Sequence, residues 1–514
     1  MLLAAVGKPG KQAFRIGYVA GFFHYLASLY WLLLIPVAWG PIFGWLALAA
    51  YMSLYPAFWV WLCWKMFPVK IASPDVSAGF SGWAGRFLSA PWGQRMLWAI
   101  SAAAAWVALE MMISRFLSGF PWNLLGVSQY RIVPLIQIAS HTGVYGVSFL
   151  VIWTSVSLLG ATMVIIRRPT MRSAWVGEIM LPMTVLIALY ASGYRKLLQP
   201  EPKRPELAVA LIQPSIPQTM IWDQGSDTVR FHELVQLTEV ALTNKVDLVI
   251  WPEAAVPKLV RWDEDTYRAV TGLASKHKVW MIIGSDDAEP RLHPTHTNEA
   301  DYFNSSFLVG PDGRLMERYA KRNLVIFGEY VPLVKWLPFI KYLTPIPGSF
   351  TPGEHVVPFR MPDIRVNASI LICFEDVFPQ LVPEYVYDDT DFLVNLTNNG
   401  WFGEGAAQWQ HAAAAVFRAV ENGVPLIRCC NNGLTCWIDS HGVMRQIFRN
   451  LRGSEYGPGF MITRIPLLQP GEKRIPTFYH QHPDWFGWAC VGVTLLQLVR
   501  LRLERRKPAA PVAT

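Results

Sequence analysis

A chain of 514 residues that is 52% hydrophobic, holds 23 Trp and is only 16% charged is not an ordinary soluble protein, in which about a quarter of residues are charged. Several of its apolar runs approach or exceed the roughly 20 residues that a helix needs to cross the hydrocarbon core. The formal net charge of +8 resides largely in basic residues beside those runs, where they can face anionic lipid, so it requires no nucleic-acid partner.

Six candidate spans are expected, at about 16–38, 41–63, 95–113, 144–166, 174–194 and 485–501. The basic stretch before the first resembles a signal peptide, but its apolar run is too long and no small-residue cleavage site follows, so it reads as a retained span. Lys8, Lys11 and Arg15 precede the first span, and Lys65, Lys70, Arg86 and Arg95 lie between the second and third. Arg167, Arg168 and Arg172 lie between the fourth and fifth, and Arg500, Arg502, Arg505, Arg506 and Lys507 follow the sixth. If the spans alternate, all of these fall on one side, which is then cytoplasmic, and the long 195–484 segment lies outside.

Residues 195–206 (RKLLQPEPKRPE) are charged and proline-rich, as suits a linker. Beyond them, strand-like runs alternate with helical stretches. The runs are 207–213, 246–251, 279–285, 302–310, 368–373, 391–397, 424–430 and 435–440, with helices near 226–244, 264–277 and 408–422. This pattern predicts an α/β layered domain over 207–480. The resulting organisation is a 1–194 membrane domain of about five helices, the linker, the α/β domain, a last span at 485–501 and a basic cytoplasmic tail at 502–514.

Three residues stand in similar contexts within that domain: Glu253 in LVIWPEAAVP, Lys321 in YAKRNLVIFGEYVP and Cys373 in ILICFEDVFP. Each lies beside a short apolar run of the kind that ends a core strand, where layered α/β folds carry catalytic groups. A carboxylate, an ammonium and a thiol held together can perform acyl transfer through a thioester: the carboxylate moves the proton, the thiolate attacks, and the cation stabilises the developing oxyanion. Glu329 in FGEYVP and Glu375 in CFED are the next candidates. The segment 331–350, with Trp336 and Phe339, suits a lid that touches the bilayer and admits acyl chains.

Other features carry less. His293 and His296 in RLHPTHTN read as solvated rather than as metal ligands. Asn304, Asn367 and Asn395 match the glycosylation acceptor pattern by chance. Cys429, Cys430 and Cys436 have no framework spacing and read as buried free thiols. No phosphate loop or dinucleotide fingerprint is present, and no cofactor or metal is expected.

WPEAAVP, YFNSSFLVGPDG, YAKRNLVIFGEYVP, ICFEDVFP and NNGWFG, in this order, resemble the carbon–nitrogen hydrolase (nitrilase) superfamily. The spans on both sides, with FFHYLASLYW at 22–31, FPWNLLGVSQY at 120–130 and GVYGVSFL at 143–150, narrow the resemblance to its membrane-embedded apolipoprotein N-acyltransferase branch. The resemblance implies an αββα sandwich inserted between transmembrane helices, a Glu253–Lys321–Cys373 triad, and Glu329 as a further essential carboxylate that orients Lys321. It also implies substrate contacts from Trp222 and Glu375. The implied reaction passes a fatty acyl chain from a membrane phospholipid through a thioacyl-enzyme to the α-amino group of a diacylglyceryl-cysteine on an apolipoprotein, at the periplasmic face of a bacterial inner membrane, with one chain sufficing.

The family usually has eight spans, seven before the domain and one after it; here the opening MLLAAVGKPGKQAFRIGY resembles the end of a second span and the loop into a third. Phe374, Asn398-Asn399-Gly400 and the cysteine-rich RCCNNGLTCW also depart from the usual pattern, and these bear on substrate fit. Two other readings remain open: a membrane-tethered amidase that uses water or a small amine, and a non-catalytic scaffold that binds lipoproteins.

Overall fold

The computed structural model describes residues 1–67, 87–167, 170, 172–200, 202–291, 299–331 and 349–506. The lid expected at 331–350 falls almost wholly outside these, as do Trp336, Phe339, His293 and His296. The chain divides into two compact units, one of residues 1–30, 44–199 and 482–514, the other of 31–43 and 200–481.

Among the described residues of the first unit and its borders, five helices are long and apolar enough to cross a membrane: Gly40–Lys65, Trp92–Ile113, Val144–Ile166, Val176–Leu197 and Trp485–Leu503. The span expected at 16–38 is not among them. Its helix, Gly10–Ser28, stops short, and the chain enters a 3-10 turn at Tyr30–Leu34. Pro36, whose ring and missing N–H oppose helix continuation, lies in the stretch that follows.

Helices in the first unit pack through small residues. A Cβ on Gly17 would lie 2.7 Å from the Pro56 carbonyl oxygen, and one on Gly21 would lie 2.4 Å from the Pro56 ring; close backbone approach of this kind drives helix association in lipid. Indole N–H groups reach backbone carbonyls on neighbouring helices, Trp59 to Ala102 (2.8 Å) and Trp98 to Cys63 (2.9 Å). Arg95 and Glu178 form a buried ion pair at 2.6 Å. Glu110 accepts from Trp106 Nε1 (2.9 Å) and from the Leu125 N–H (2.7 Å), while Gly126 N–H donates to Ser148 Oγ at 2.8 Å. The Leu125 and Gly126 bonds tie FPWNLLGVSQY to the helix Trp92–Ile113 and to the helix that carries GVYGVSFL.

The second unit holds two six-stranded sheets. In chain order the strands are β1 Glu206–Gln213, β2 Leu248–Ile250, β3 Trp280–Pro290, β4 Ala300–Val309, β5 Leu315–Ala320, β6 Pro358–Met361, β7 Val366–Ile372, β8 Phe392–Thr397, β9 Leu426–Cys430, β10 Cys436–Ile438, β11 Met444–Ile447 and β12 Gly459–Pro466. The first sheet runs β12-β1-β2-β3-β4-β5 and the second β11-β10-β9-β8-β7-β6. Each has a parallel trio at its heart, β1-β2-β3 and β7-β8-β9, flanked by antiparallel strands.

Burial on both faces explains the unbroken apolar runs of the parallel trios. Ala210, Ile212, Val249, Trp251, Met281 and Ile283 belong to the core shared with Leu234 and Leu273, which lie on the helices Asp227–Ala241 and Glu264–His277. Their neighbours in sequence point the other way and are equally buried, toward the second sheet. There the Cys429 thiol meets the carbonyls of Ile212 and Ile250 at 3.4 and 3.3 Å. The helix Ala406–Asn422 packs on the second sheet. The result is the α/β nitrilase-type layering expected from the sequence.

Candidate active site

Glu253 and Cys373 follow the ends of β2 and β7, both members of parallel trios, so each sits at the carboxyl end of its sheet. Lys321 directly follows β5. The apolar run LVIF beside Lys321 lies after it and forms no strand; LMERYA, half charged and polar, precedes it and does.

The backbone at the site is strained where the chemistry is. Cys373 has φ 51° and Ala254, next to Glu253, has φ 50°; left-handed conformations at non-glycine residues cost of order 1–3 kcal/mol and persist only where the surroundings hold them. Gly284 lets the chain at Glu253 pass close to β3, since a Cβ there would lie 2.2 Å from the Pro252 carbonyl oxygen and 2.7 Å from Glu253 Cα.

Lys321 is buried between two carboxylates, with Nζ 2.7 Å from Glu329 Oε1 and 3.4 Å from Glu253 Oε1. Burial by itself would lower its pKa, but Glu329 and Glu253 outweigh that and the net shift is upward, so the ammonium keeps its proton and cannot act as a base. Asn304 Nδ2 bridges the same two carboxylate oxygens at 2.8 Å each. Glu253 Oε2 takes the Asn398 N–H at 2.8 Å, and Glu329 Oε2 takes the Val325 N–H at 2.8 Å.

Burial and the charge of Glu253 push the Cys373 thiol up, against the opposing pull of Lys321 and a bond to Thr397. The resting group is therefore a neutral thiol, which must lose its proton to act as a nucleophile. Lys321 engages Glu253 less tightly than it engages Glu329.

Glu375, expected to touch substrate, has other surroundings. It is fully buried and accepts from Tyr319 OH (2.8 and 2.9 Å) and from the N–H groups of Ile372 (2.7 Å), Arg322 (2.8 Å) and Asn323 (3.1 Å). One carboxylate thereby pins the chain on both sides of Lys321 to the turn that carries Cys373. Burial raises its pKa, while the Ile372 N–H and Lys321 oppose the shift.

Trp222 is exposed and meets Trp401 edge to face, with ring centroids 5.1 Å apart. Trp31, the last residue of FFHYLASLYW, belongs to this unit: its ring meets Phe402 at 4.5 Å and its Nε1 donates to Gln410 at 2.9 Å.

Sequence reading missed several polar groups here. Asn304 stands in the motif YFNSSFLVGPDG and Asn395 in the run 391–397, and neither drew a site reading, yet the first bridges two carboxylates and the second donates Nδ2 to the Cys373 carbonyl at 2.9 Å. Asp286 lies opposite Asn304 in the β3–β4 register. Its buried carboxyl, beside Glu253 and Glu329, is pushed up to about 7. Asn398 held a visible place in NNGWFG, but its backbone contact with Glu253 had no signal in the sequence. All six cysteines are free, and among the described residues no group of His, Cys, Asp and Glu is arranged to hold a metal.

A thiol with a carboxylate and a fixed ammonium, on paired six-stranded sheets, defines a carbon–nitrogen hydrolase-type site, and residues 208–454 match the carbon-nitrogen hydrolase family. Residues 1–157 match the apolipoprotein N-acyltransferase N-terminal domain. A relative from Geobacter metallireducens bearing the name apolipoprotein N-acyltransferase is 35% identical over 96% of this chain and 87% of its own length. One of that name from Vibrio vulnificus is 30% identical over 96% of this chain and 90% of its own. A crystal structure of an amidase from Nesterenkonia sp. is similar at 15% identity and a TM-score of 0.38, covering 52% of this chain and 92% of that one. The chain belongs to the apolipoprotein N-acyltransferase family.

Proposed function

We propose that this protein transfers a fatty acyl chain from a membrane phospholipid to the N-terminal α-amino group of a diacylglyceryl-modified apolipoprotein. Cys373 gives its proton to Glu253 as sulfur attacks the ester carbonyl and a C–S bond forms. Lys321, held by Glu329 and Glu253, stabilises the oxyanion. The ester C–O bond then breaks, the proton passes from Glu253 to the leaving alkoxide, and a lysophospholipid departs. In the second half the acceptor amine attacks the thioester; Glu253 takes its proton, a C–N bond forms, and the C–S bond breaks to return the thiolate, which recovers the proton. Trp222, with Trp336 and Phe339, contacts the substrates. The kinetics are ping-pong, and one chain suffices, in an inner membrane with the second unit on the periplasmic side.

The observation that carries this reading is the Lys321 ammonium fixed between two carboxylates beside a thiol, in a chain of this family whose helices can cross a membrane. A tethered amidase would need the same triad, so the acceptor is what distinguishes the two. The test is complementation of a strain depleted of its own N-acyltransferase, with lipoprotein N-termini read by mass spectrometry. The intact chain should restore triacylated N-termini, and Cys373→Ala should leave them diacylated while accumulating to the same level in the membrane. Diacylated N-termini with both, from well-expressed and inserted protein, would refute the acyltransferase reading.

A further inference from the structure

Behind the nucleophile lies a buried polar chain that the reaction as described does not use. His411, on the helix Ala406–Asn422, places Nε2 2.7 Å from Asp376 Oδ1 and 3.2 Å from the Cys373 carbonyl oxygen. Arg428 on β9 closes on the other oxygen of Asp376. The His411 Nδ1 lies 3.1 Å from the side-chain amide of Asn399. Asn399 Nδ2 has no partner as placed, so turning the amide lets it donate to Nδ1 and leaves the ring proton on Nε2. Burial lowers the His411 pKa, against the pull of Asp376, so the ring is the neutral tautomer with Nε2–H shared between Asp376 and the Cys373 carbonyl. All four side chains are buried.

The Cys373 carbonyl thus receives two side-chain donors, His411 from a helix and Asn395 from β8. That carbonyl belongs to the Cys373–Phe374 peptide. The bond is trans, so fixing the direction of the carbonyl fixes the opposite direction of the Phe374 N–H. Hydrogen bonds accepted by a carbonyl also polarise the N–H of the same peptide unit. The clamp acts where the backbone is least able to hold itself, at a residue with φ 51°.

We propose that His411 is a positioning residue that, with Asn395, clamps the Cys373–Phe374 peptide so that the Phe374 N–H faces the oxyanion formed when the thioester is made. Asp376 and Arg428 hold the imidazole in the orientation this requires. The proposal rests on the acyl-transfer reading for its natural substrate but not for its chemistry, since any acyl donor that passes through a tetrahedral oxyanion depends on the same peptide.

The experiment compares acylation of Cys373 with its alkylation. Alkylation by iodoacetamide develops no oxyanion and reports thiol placement alone, whereas acylation needs the clamp. Full-length protein in detergent micelles containing phosphatidylethanolamine is assayed for thioacyl-enzyme formation, in parallel with a p-nitrophenyl acyl ester. In His411→Gln the side-chain amide nitrogen replaces Nε2, and acylation should stay within about threefold of wild type. In His411→Asn it replaces Nδ1 and falls short of the carbonyl, and acylation should drop about tenfold or more, toward the loss seen when an oxyanion donor is removed, while alkylation stays within about threefold. Parallel loss of acylation and alkylation would show that His411 only places the sulfur, and unchanged acylation in His411→Asn would show that the clamp is idle; either overturns the proposal. Wild-type acylation by the ester but not by phospholipid would count against the acyl donor proposed above and leave this comparison intact.

Discussion

A buried lysine is ordinarily pushed toward its neutral form, and Lys321 escapes this because its two carboxylates sit at 2.7 and 3.4 Å. The arrangement leaves negative charge in excess, and Asp286 absorbs the consequence. Burial first, then Glu253 and Glu329, raise its pKa from an ordinary value of 3.8 to about 7. The folded state therefore holds a proton between about pH 4 and 7 that the unfolded chain releases, so this group's contribution to stability falls as pH rises through that window and is flat above it. In Asp286→Asn the side chain cannot ionise. The variant should match wild type only below about pH 4, exceed it by roughly 1.5 kcal/mol at pH 5, and exceed it at pH 8 by at most about 4 kcal/mol for a shift of this size. Thermal unfolding in detergent, followed by tryptophan fluorescence at pH 5 and pH 8, checks this. A stability difference that did not change with pH would mean Asp286 is ionised throughout.

At the scale of elements, the parallel strands were legible because both of their faces are buried and their runs are unbroken, as in LAVALIQ and ASILIC. Of the antiparallel flanks, β4 and β10 were read at 302–310 and 435–440, but β5, β6, β11 and β12 were not. LMERYA (β5) and MRQI (β11) mix charge with apolar residues, and GFMITRIP (β12) alternates along an edge, so none gives the apolar run that marks a core strand. The residues proposed as the triad could be picked out from local motifs, but the groups that contact them could not: Asn304, Asn395 and His411 meet their partners across 51, 22 and 38 residues of chain, and no local pattern announces such pairs. Gly284 is of the same kind. It reads as one more strand residue in VWMIIGS, yet it is where the chain at Glu253 crosses β3. Gly284→Ala places a methyl group against backbone, which cannot step aside as a flexible side chain could. The expected cost is about 1–3 kcal/mol of stability, together with a loss of at least about tenfold in thioacyl formation as Glu253 is displaced from Cys373. Parallel measurement of melting temperature and acylation rate tests both. An unchanged acylation rate in a folded variant would mean that the Pro252–Glu253 backbone has slack to yield.

For the whole molecule, the distribution of charge decides which chemistry is reachable. On the topology proposed above, the basic clusters flanking the spans put the loop after Val144–Ile166 in the cytoplasm and, one span later, residues 200–481 outside. The cysteine inventory makes this measurable, because Cys63, Cys429, Cys430, Cys436 and Cys490 are buried and only Cys373 is partly accessible. In a Cys373→Ala background, Gln224→Cys stands on an exposed turn of the second unit and Arg172→Cys on the loop between Val144–Ile166 and Val176–Leu197. A membrane-impermeant maleimide applied to cells with a permeabilised outer membrane and an intact inner one should label the first fully. It should reach the second only after the inner membrane is opened. The reverse pattern would put the triad in the cytoplasm, away from lipoprotein N-termini that have already crossed, and an enzyme so placed could not meet the acceptor its family uses.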